Sequence, residues 1–271
     1  MIFEHEIPSG SKLYFNKSAK IKRELESIAA SFFEARGFKE IVTPAFSYHQ
    51  HESFDDKKVL IRINDSTNHE VTLRADSTID VVRIVTKRLG RSTQDKKWFY
   101  IQPVFTFPTN EQYQIGAEII EGNMKEVAKI AVELFERLDF KPILQIANIA
   151  IPKILHSKYN ISINDIKEMN IESILNTPYS WIEDLEDLSK YPMDIKEELL
   201  KIKEIAKTLL YKRIIISPLY YAQMLYYDSL LIRAFEDNNL YLTGGEYIVN
   251  DINGAGFALN LDALIARFIK G

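Results

Sequence analysis

From Ser18 to Phe38 the chain reads SAKIKRELESIAASFFEARGF, and Ile21, Leu25, Ile28, Ala29, Phe32 and Phe33 recur at the three- and four-residue spacing of one helix face. Gly37 stands where a helix takes a left-handed C-terminal cap. FKEIVTPAF then predicts a strand that ends near Pro44. VLIRI (59–63) and EVTL (70–73) flank the polar NDSTNH and predict a hairpin. Helical spacing returns in DSTIDVVRIVTKRL through Ile79, Val82 and Val85. WFYIQPVFTF and YQIGAEII, joined by PTNEQ, read as two paired strands.

MKEVAKIAVELFERL (124–138) predicts a second long helix, and ILQIANIA (143–150) a strand. Between residues 151 and 210 the pattern changes to short helical runs rich in Lys, Glu and Asp. The longest is IKEELLKIKEIAKTLL, and the stretch reads as a small helical insert. β-rich sequence resumes at IIIS (214–217), continues through LYYAQMLYY, and closes with YLTGGEYIVN and GAGFALNLDALIARFI, a strand running into a final helix. The expectation is an α+β core of antiparallel sheet flanked by helices, built from residues 1–150 and 211–271, with the insert at 151–210.

Composition narrows the function classes. With 46% hydrophobic residues in 271, the chain can fill a sizeable core. Its 34 basic and 38 acidic residues nearly cancel, so no global positive field draws nucleic acid. The absence of cysteine excludes disulfides, thiolate nucleophiles and Cys-ligated zinc, and fits a reducing cytoplasm. No apolar run approaches the roughly 18 residues of a membrane helix, and MIFEHEIPSG carries acids where a secretory leader has bases. A cytoplasmic protein without a membrane segment is expected. His49 and His51 lie on the same side of an extended HQH, near Glu52, Asp55 and Asp56. No third well-spaced ligand follows, so an exposed polar loop is expected there, and no metal site.

Several separated segments resemble the class II aminoacyl-tRNA synthetase core in order. Among its families they resemble histidyl-tRNA synthetase and its non-catalytic relatives, the regulatory subunits of ATP phosphoribosyltransferase. The first helix with GFKEIVTPAF resembles the dimer-forming motif 1. LRADST (73–78) is similar to the Leu-Arg-Pro-Glu-x-Thr that begins the histidine-binding wall, PVFTFPTNEQYQIGAEIIEG to motif 2, and GAGFALNLDALIARF to motif 3. PLYYAQMLYYD resembles the Arg-Gly-Leu-Asp-Tyr-Tyr signature with the strand after it, and TGGEY the Gly-Gly-Arg-Tyr loop.

Against that resemblance the cations of amino-acid activation are missing. Activation develops negative charge on phosphate, which a site must meet with preorganised positive groups. The motif 2 arginine falls at Thr106 and its acidic companion at Pro108. The motif 3 arginine falls at Ala263, and Glu246 replaces the arginine of the Gly-Gly-Arg-Tyr loop. Ile216-Ser217-Pro218-Leu219 carries neither the arginine nor the aspartate of the signature. The chain also stops directly after motif 3, where a synthetase would continue into an anticodon-binding domain. The resemblance therefore implies no catalytic residues, no cofactor and no tRNA.

What the resemblance implies for binding is a remnant histidine pocket. Gln114 and Glu118 share one face of the second motif 2 strand, the face that supplies polar contacts to histidine in the family. Solvent-facing strand polars explain them equally well. Asp76 and Thr78 match the other wall, and an N-terminal helix cap also accounts for their position. Tyr221 matches one of the paired tyrosines, though Tyr-rich strands commonly pack in cores. Gln223, in place of the family's glycine, narrows the cavity.

Three functions stay open at this point. One is a regulatory subunit acting on a short-form catalytic subunit of ATP phosphoribosyltransferase in histidine biosynthesis, sensing free histidine and dimerising through the N-terminal helix and strand. The second is a synthetase-like dimeric binding module with another partner, and the third an enzyme that still activates an amino acid.

Overall fold

The protein, a computed structural model, is described over residues 4–48, 50, 54, 56–168, 170, 188–222 and 226–270. The first amphipathic run forms α1 (Asn16–Glu34), burying Leu25, Ala29, Phe32 and Phe33. Gly37 follows at φ 80°, the left-handed geometry that ends a helix without a Cβ clash. The expected single strand after it is two short ones, β1 (Lys39–Glu40) and β2 (Phe46–Ser47). Between them, at Thr43-Pro44, the chain crosses from one sheet to another, where proline has no N–H to continue a ladder.

The hairpin of β3 (Arg62–Asn64) and β4 (Glu70–Leu73) forms as expected, and β2 adds to β4 to complete a small three-stranded sheet. Helix α2 (Thr78–Arg83) runs on into a wider π-helical turn over Ile84–Arg88. The motif 2 strands are β5 (Lys97–Thr106) and β6 (Asn110–Ile120), so their loop is only Phe107-Pro108-Thr109. Next come α3 (Met124–Arg137) and β7 (Ile143–Asn148). The 151–210 stretch contributes α4 (Ala150–Tyr159), α5 (Ile163–Lys167) and α6 (Met193–Thr208), with 171–187 outside the described residues. The chain continues through β8 (Ile214–Ile216), β9 (Tyr227–Glu236), β10 (Asn239–Val249), β11 (Ile252–Asn260) and α7 (Leu261–Lys270).

Eight strands assemble in the order β1-β5-β6-β11-β10-β9-β7-β8. The centre is antiparallel as expected, but both outermost pairs, β1 with β5 and β7 with β8, are parallel, so the sheet is mixed. Of the described residues of LYYAQMLYY, only the final Tyr227 is in a strand. Leu219–Ala222 lacks regular structure, 223–225 lie outside the described residues, and extended pairing starts only at Tyr227.

Alternation gives the sheet two different faces. One face presents Phe99, Ile115, Leu144, Ile146, Ile232 and Leu259 to α1, α3, α6 and α7, and this is the main core. Ile151, Leu155, Ile195, Leu199 and Ile202 from the helical stretch join that same core. The opposite face presents Trp98, Tyr100, Ala147, Leu231 and Tyr247, packed against Ile79, Val82 and Val85 of α2 and its extension. Among the described residues no helix is long and apolar enough to cross a membrane.

Candidate ligand pocket

The α2 face of the sheet is only partly filled. A cavity of about 520 Å³ opens there, and its walls include Asp76, Thr78, Gln114, Glu118 and Tyr221. Residues from three distant segments, all five singled out from the sequence, thus meet at one site. Gln223 and the His49 and His51 pair lie outside the described residues. Among the described residues there is no cluster of three or more His, Asp or Glu able to hold a metal.

Asp76 carries out two structural tasks. Its Oδ1 accepts from the Ile79 N–H (3.2 Å), capping α2, and its Oδ2 accepts from the Tyr226 hydroxyl (2.9 Å). The loop that presents it is pinned from behind by Gln50, whose Oε1 accepts from the Ala75 and Asp76 N–H groups. Arg74 ties the same loop to both sheets, donating to the carbonyls of Thr43, Pro44 and Pro103.

Glu118 is fully buried on β6. Its Oε1 accepts from the Thr78 hydroxyl (2.8 Å), so Thr78 is a pocket residue and not a helix cap. Its Oε2 has no partner; the Tyr247 hydroxyl lies beside it without hydrogen-bond geometry and is also unpartnered. The neighbouring strand makes room for this carboxyl. Gly256 sits opposite Glu118, and a Cβ there would fall 1.9 Å from Oε2. Two residues from Glu118 along β6, Gly116 admits the Tyr100 ring, which a Cβ would meet at 2.1 Å. The floor is therefore bare where an acid points into the cavity.

Burial raises both acids. Glu118 rises from 4.5 to about 8, chiefly through desolvation, with the Thr78 bond opposing and the Asp76 charge assisting. Asp76 rises from 3.8 to about 6, again chiefly through desolvation, and the Tyr226 hydroxyl holds it lower than burial alone would. Tyr226 and Tyr247 are themselves pushed well above the ordinary tyrosine range by burial. A pair of acids, Glu118 fully buried with a bare oxygen and Asp76 partly buried, neither ion-paired among the described residues, is suited to receive N–H groups of a positively charged or imidazole-bearing ligand.

Tyr226, Tyr227, Tyr247, Arg233 and Lys167 also line the cavity. None was singled out from the sequence. A signal existed for the first two: they form a second Tyr-Tyr doublet immediately ahead of a strand. Glu246, by contrast, lies away from the cavity, where its Oε1 accepts from the Met124 N–H at the start of α3.

Comparison with known proteins places these features. Residues 14–177 match the histidyl-tRNA synthetase family. A curated protein of Wolinella succinogenes named ATP phosphoribosyltransferase regulatory subunit is 42% identical, covering all of this chain and 98% of its own. One of the same name from Helicobacter hepaticus is 39% identical over 98% of each. Among solved structures, a Bacillus halodurans protein described as an ATP phosphoribosyltransferase regulatory subunit/histidyl-tRNA synthetase superposes with a TM-score of 0.83 at 17% identity, covering 98% of this chain and 84% of that one. A Nostoc histidyl-tRNA synthetase gives 0.79 at 15% identity, over 99% and 76%. At these identities the structural likenesses speak for the fold.

Proposed function

Because the chain belongs to the ATP phosphoribosyltransferase regulatory subunit family, we propose that it binds the catalytic subunit of that enzyme and carries to it a signal read from free histidine in the α2-face cavity. The observation that carries this reading is the convergence of Asp76, Thr78, Gln114, Glu118 and Tyr221 on one cavity with a buried, unpartnered carboxyl oxygen. Asp76 and Glu118 receive the ammonium and imidazole N–H groups, Gln114 adds an amide at the rim, and Tyr221 adds a ring wall. A signal requires that histidine bind one conformation of the complex more tightly than the other, since equal affinity shifts nothing.

The same reading makes the chain non-catalytic and cytoplasmic. It is supported by Thr106, Pro108 and Ala263 standing where a synthetase has its arginines and acid, by the three-residue motif 2 loop, and by the absence of cysteine. It also makes the chain a homodimer through the region of α1 and β2.

Reconstitution tests it. The chain mixed with a short-form catalytic subunit should raise phosphoribosyl transfer and make it histidine-sensitive, and calorimetry should give histidine binding that Glu118→Gln weakens by about 1.5–3 kcal/mol, the range for a hydrogen bond to a charged group. Unaltered affinity in the variant would move the site elsewhere. No binding even with the catalytic subunit present would leave the chain a scaffold.

A further inference from the structure

We propose that Arg233 forms the carboxylate-binding end of this cavity, so that the site takes a zwitterionic α-amino acid and discriminates against the corresponding amine. The inference rests on the reading that the cavity binds histidine and adds the group that recognises its other charge.

The acidic end alone leaves half of an amino acid unanswered, and the arginine of the resembled signature is not at its place before Tyr220. Arg233 comes from another strand. It stands on β9, flanked by Gln145 of β7 and Thr243 of β10, on the same sheet face as Leu231 and Tyr227, and it lines the cavity. Its guanidinium is held from two sides: Nη1 donates to Gln145 Oε1 (3.2 Å), and the Tyr220 ring lies 4.6 Å from the guanidinium carbon. Its Nε, meanwhile, is buried without a partner. An oriented, planar donor with an unused buried N–H is matched to a carboxylate. Among the described residues no carboxylate pairs with it.

Position supports the pairing of ends. In the order β6-β11-β10-β9, the strands of Glu118 and Arg233 lie three spacings apart, about 14 Å, and Arg233 is two residues along β9 from Leu231, which stands level with Glu118 through Gly256 and Gly245. Glu118 and Arg233 both line the same cavity, and the strands between them contribute Gly256, Ala258 and Thr243 to its lining, so the floor between acid and guanidinium is low. One small dipolar molecule lying across it meets opposite charges at its two ends. Lys167 of α5 also borders the cavity, 5.0 Å over the Tyr221 ring. It offers a point charge, where Arg233 offers a fixed fork.

Calorimetric titration of the full chain with histidine, histamine and histidinol separates the ideas. The native protein should bind histidine at least ten-fold tighter than histamine or histidinol, which lack the carboxylate. Arg233→Gln should lose at least ten-fold in histidine affinity with histamine unchanged, and Arg233→Lys should recover part of the loss. Equal binding of histidine and histamine by the native protein overturns the role of Arg233 while leaving the histidine pocket standing, and needs no variant. Equal loss of both ligands in Arg233→Gln also overturns it. A native protein that binds none of the three removes the histidine reading and this inference together.

Discussion

Glu118 shows how one buried side chain can cost a protein stability. Its carboxyl is ordinary in the unfolded chain, at 4.5, and near 8 when folded. Between those values the folded state keeps a proton the unfolded state has released, so stability falls as pH rises through that window. Asp76 adds the same trend up to about 6. The groups packed directly on Glu118 are Thr78, Tyr100, Tyr247 and Asp76, none of them cationic, so only the hydroxyls of Thr78 and Tyr247 offset the charge once it forms, and desolvation outweighs them. Ligand-free protein should therefore melt lower at pH 8 than at pH 6, by about 2 °C per pH unit from this group. Glu118→Gln, neutral at every pH, should flatten the slope in differential scanning calorimetry. A native slope equal to the variant's would place a cation or another donor at Oε2. At this scale the sequence identified the polar residues whose spacing on strand or helix start was informative. It could not identify Tyr247 or Arg233, because their roles depend on which strands become neighbours.

At the scale of elements, the small β2-β4-β3 sheet has an uneven distribution of exposure. Cross-strand partners share a face, so Phe46 and Leu73 lie with Val71 and Ile63 on one side, while Ser47 and Thr72 lie buried on the other. Phe46 is 57% exposed, Tyr48 55% and Ile63 43%, an apolar face that one copy leaves open. Arg74 fixes its position by clamping Thr43, Pro44 and Pro103 together. If this face joins α1 in a two-fold contact, residue 46 is duplicated across it and a charge there is penalised twice. Phe46→Glu should convert a dimer to a monomer in sedimentation at micromolar concentration, with the melting transition of the monomer still cooperative. A native chain that sediments as a monomer would exclude the contact. The split of the predicted strand into β1 and β2 was not legible beforehand, because alternation shows that residues are extended and does not show which sheet they join.

For the whole molecule, the α+β character, the helices and most strands followed from periodicity, and the mixed order of the sheet did not. β9 escaped notice for a physical reason: Leu230, Leu231 and Ile232 are buried on both faces, so they form a short apolar run without alternation. The proposed non-catalytic reading draws on the whole molecule, since Thr106, Glu246 and Ala263, the residues that stand where the resembled synthetases carry arginine, lie on separate strands and helices. Amino-acid-dependent exchange of pyrophosphate into ATP should be undetectable with every standard amino acid. Measurable exchange with any of them would restore the activating-enzyme reading.

The strand order has a consequence during synthesis. β5 and β6 leave the ribosome early as a hairpin, but the far edge of β6 is completed only by β11, where Ile120 meets Gly254. Until that late strand emerges, β6 offers an open ladder with apolar residues on both sides, which is the kind of edge that recruits other nascent chains or chaperones. Glu118 and its facing Gly256 are thus brought together only once β11 has emerged, and a polypeptide interrupted before β11 holds the walls of the cavity but lacks Gly256 and Ala258 of its floor.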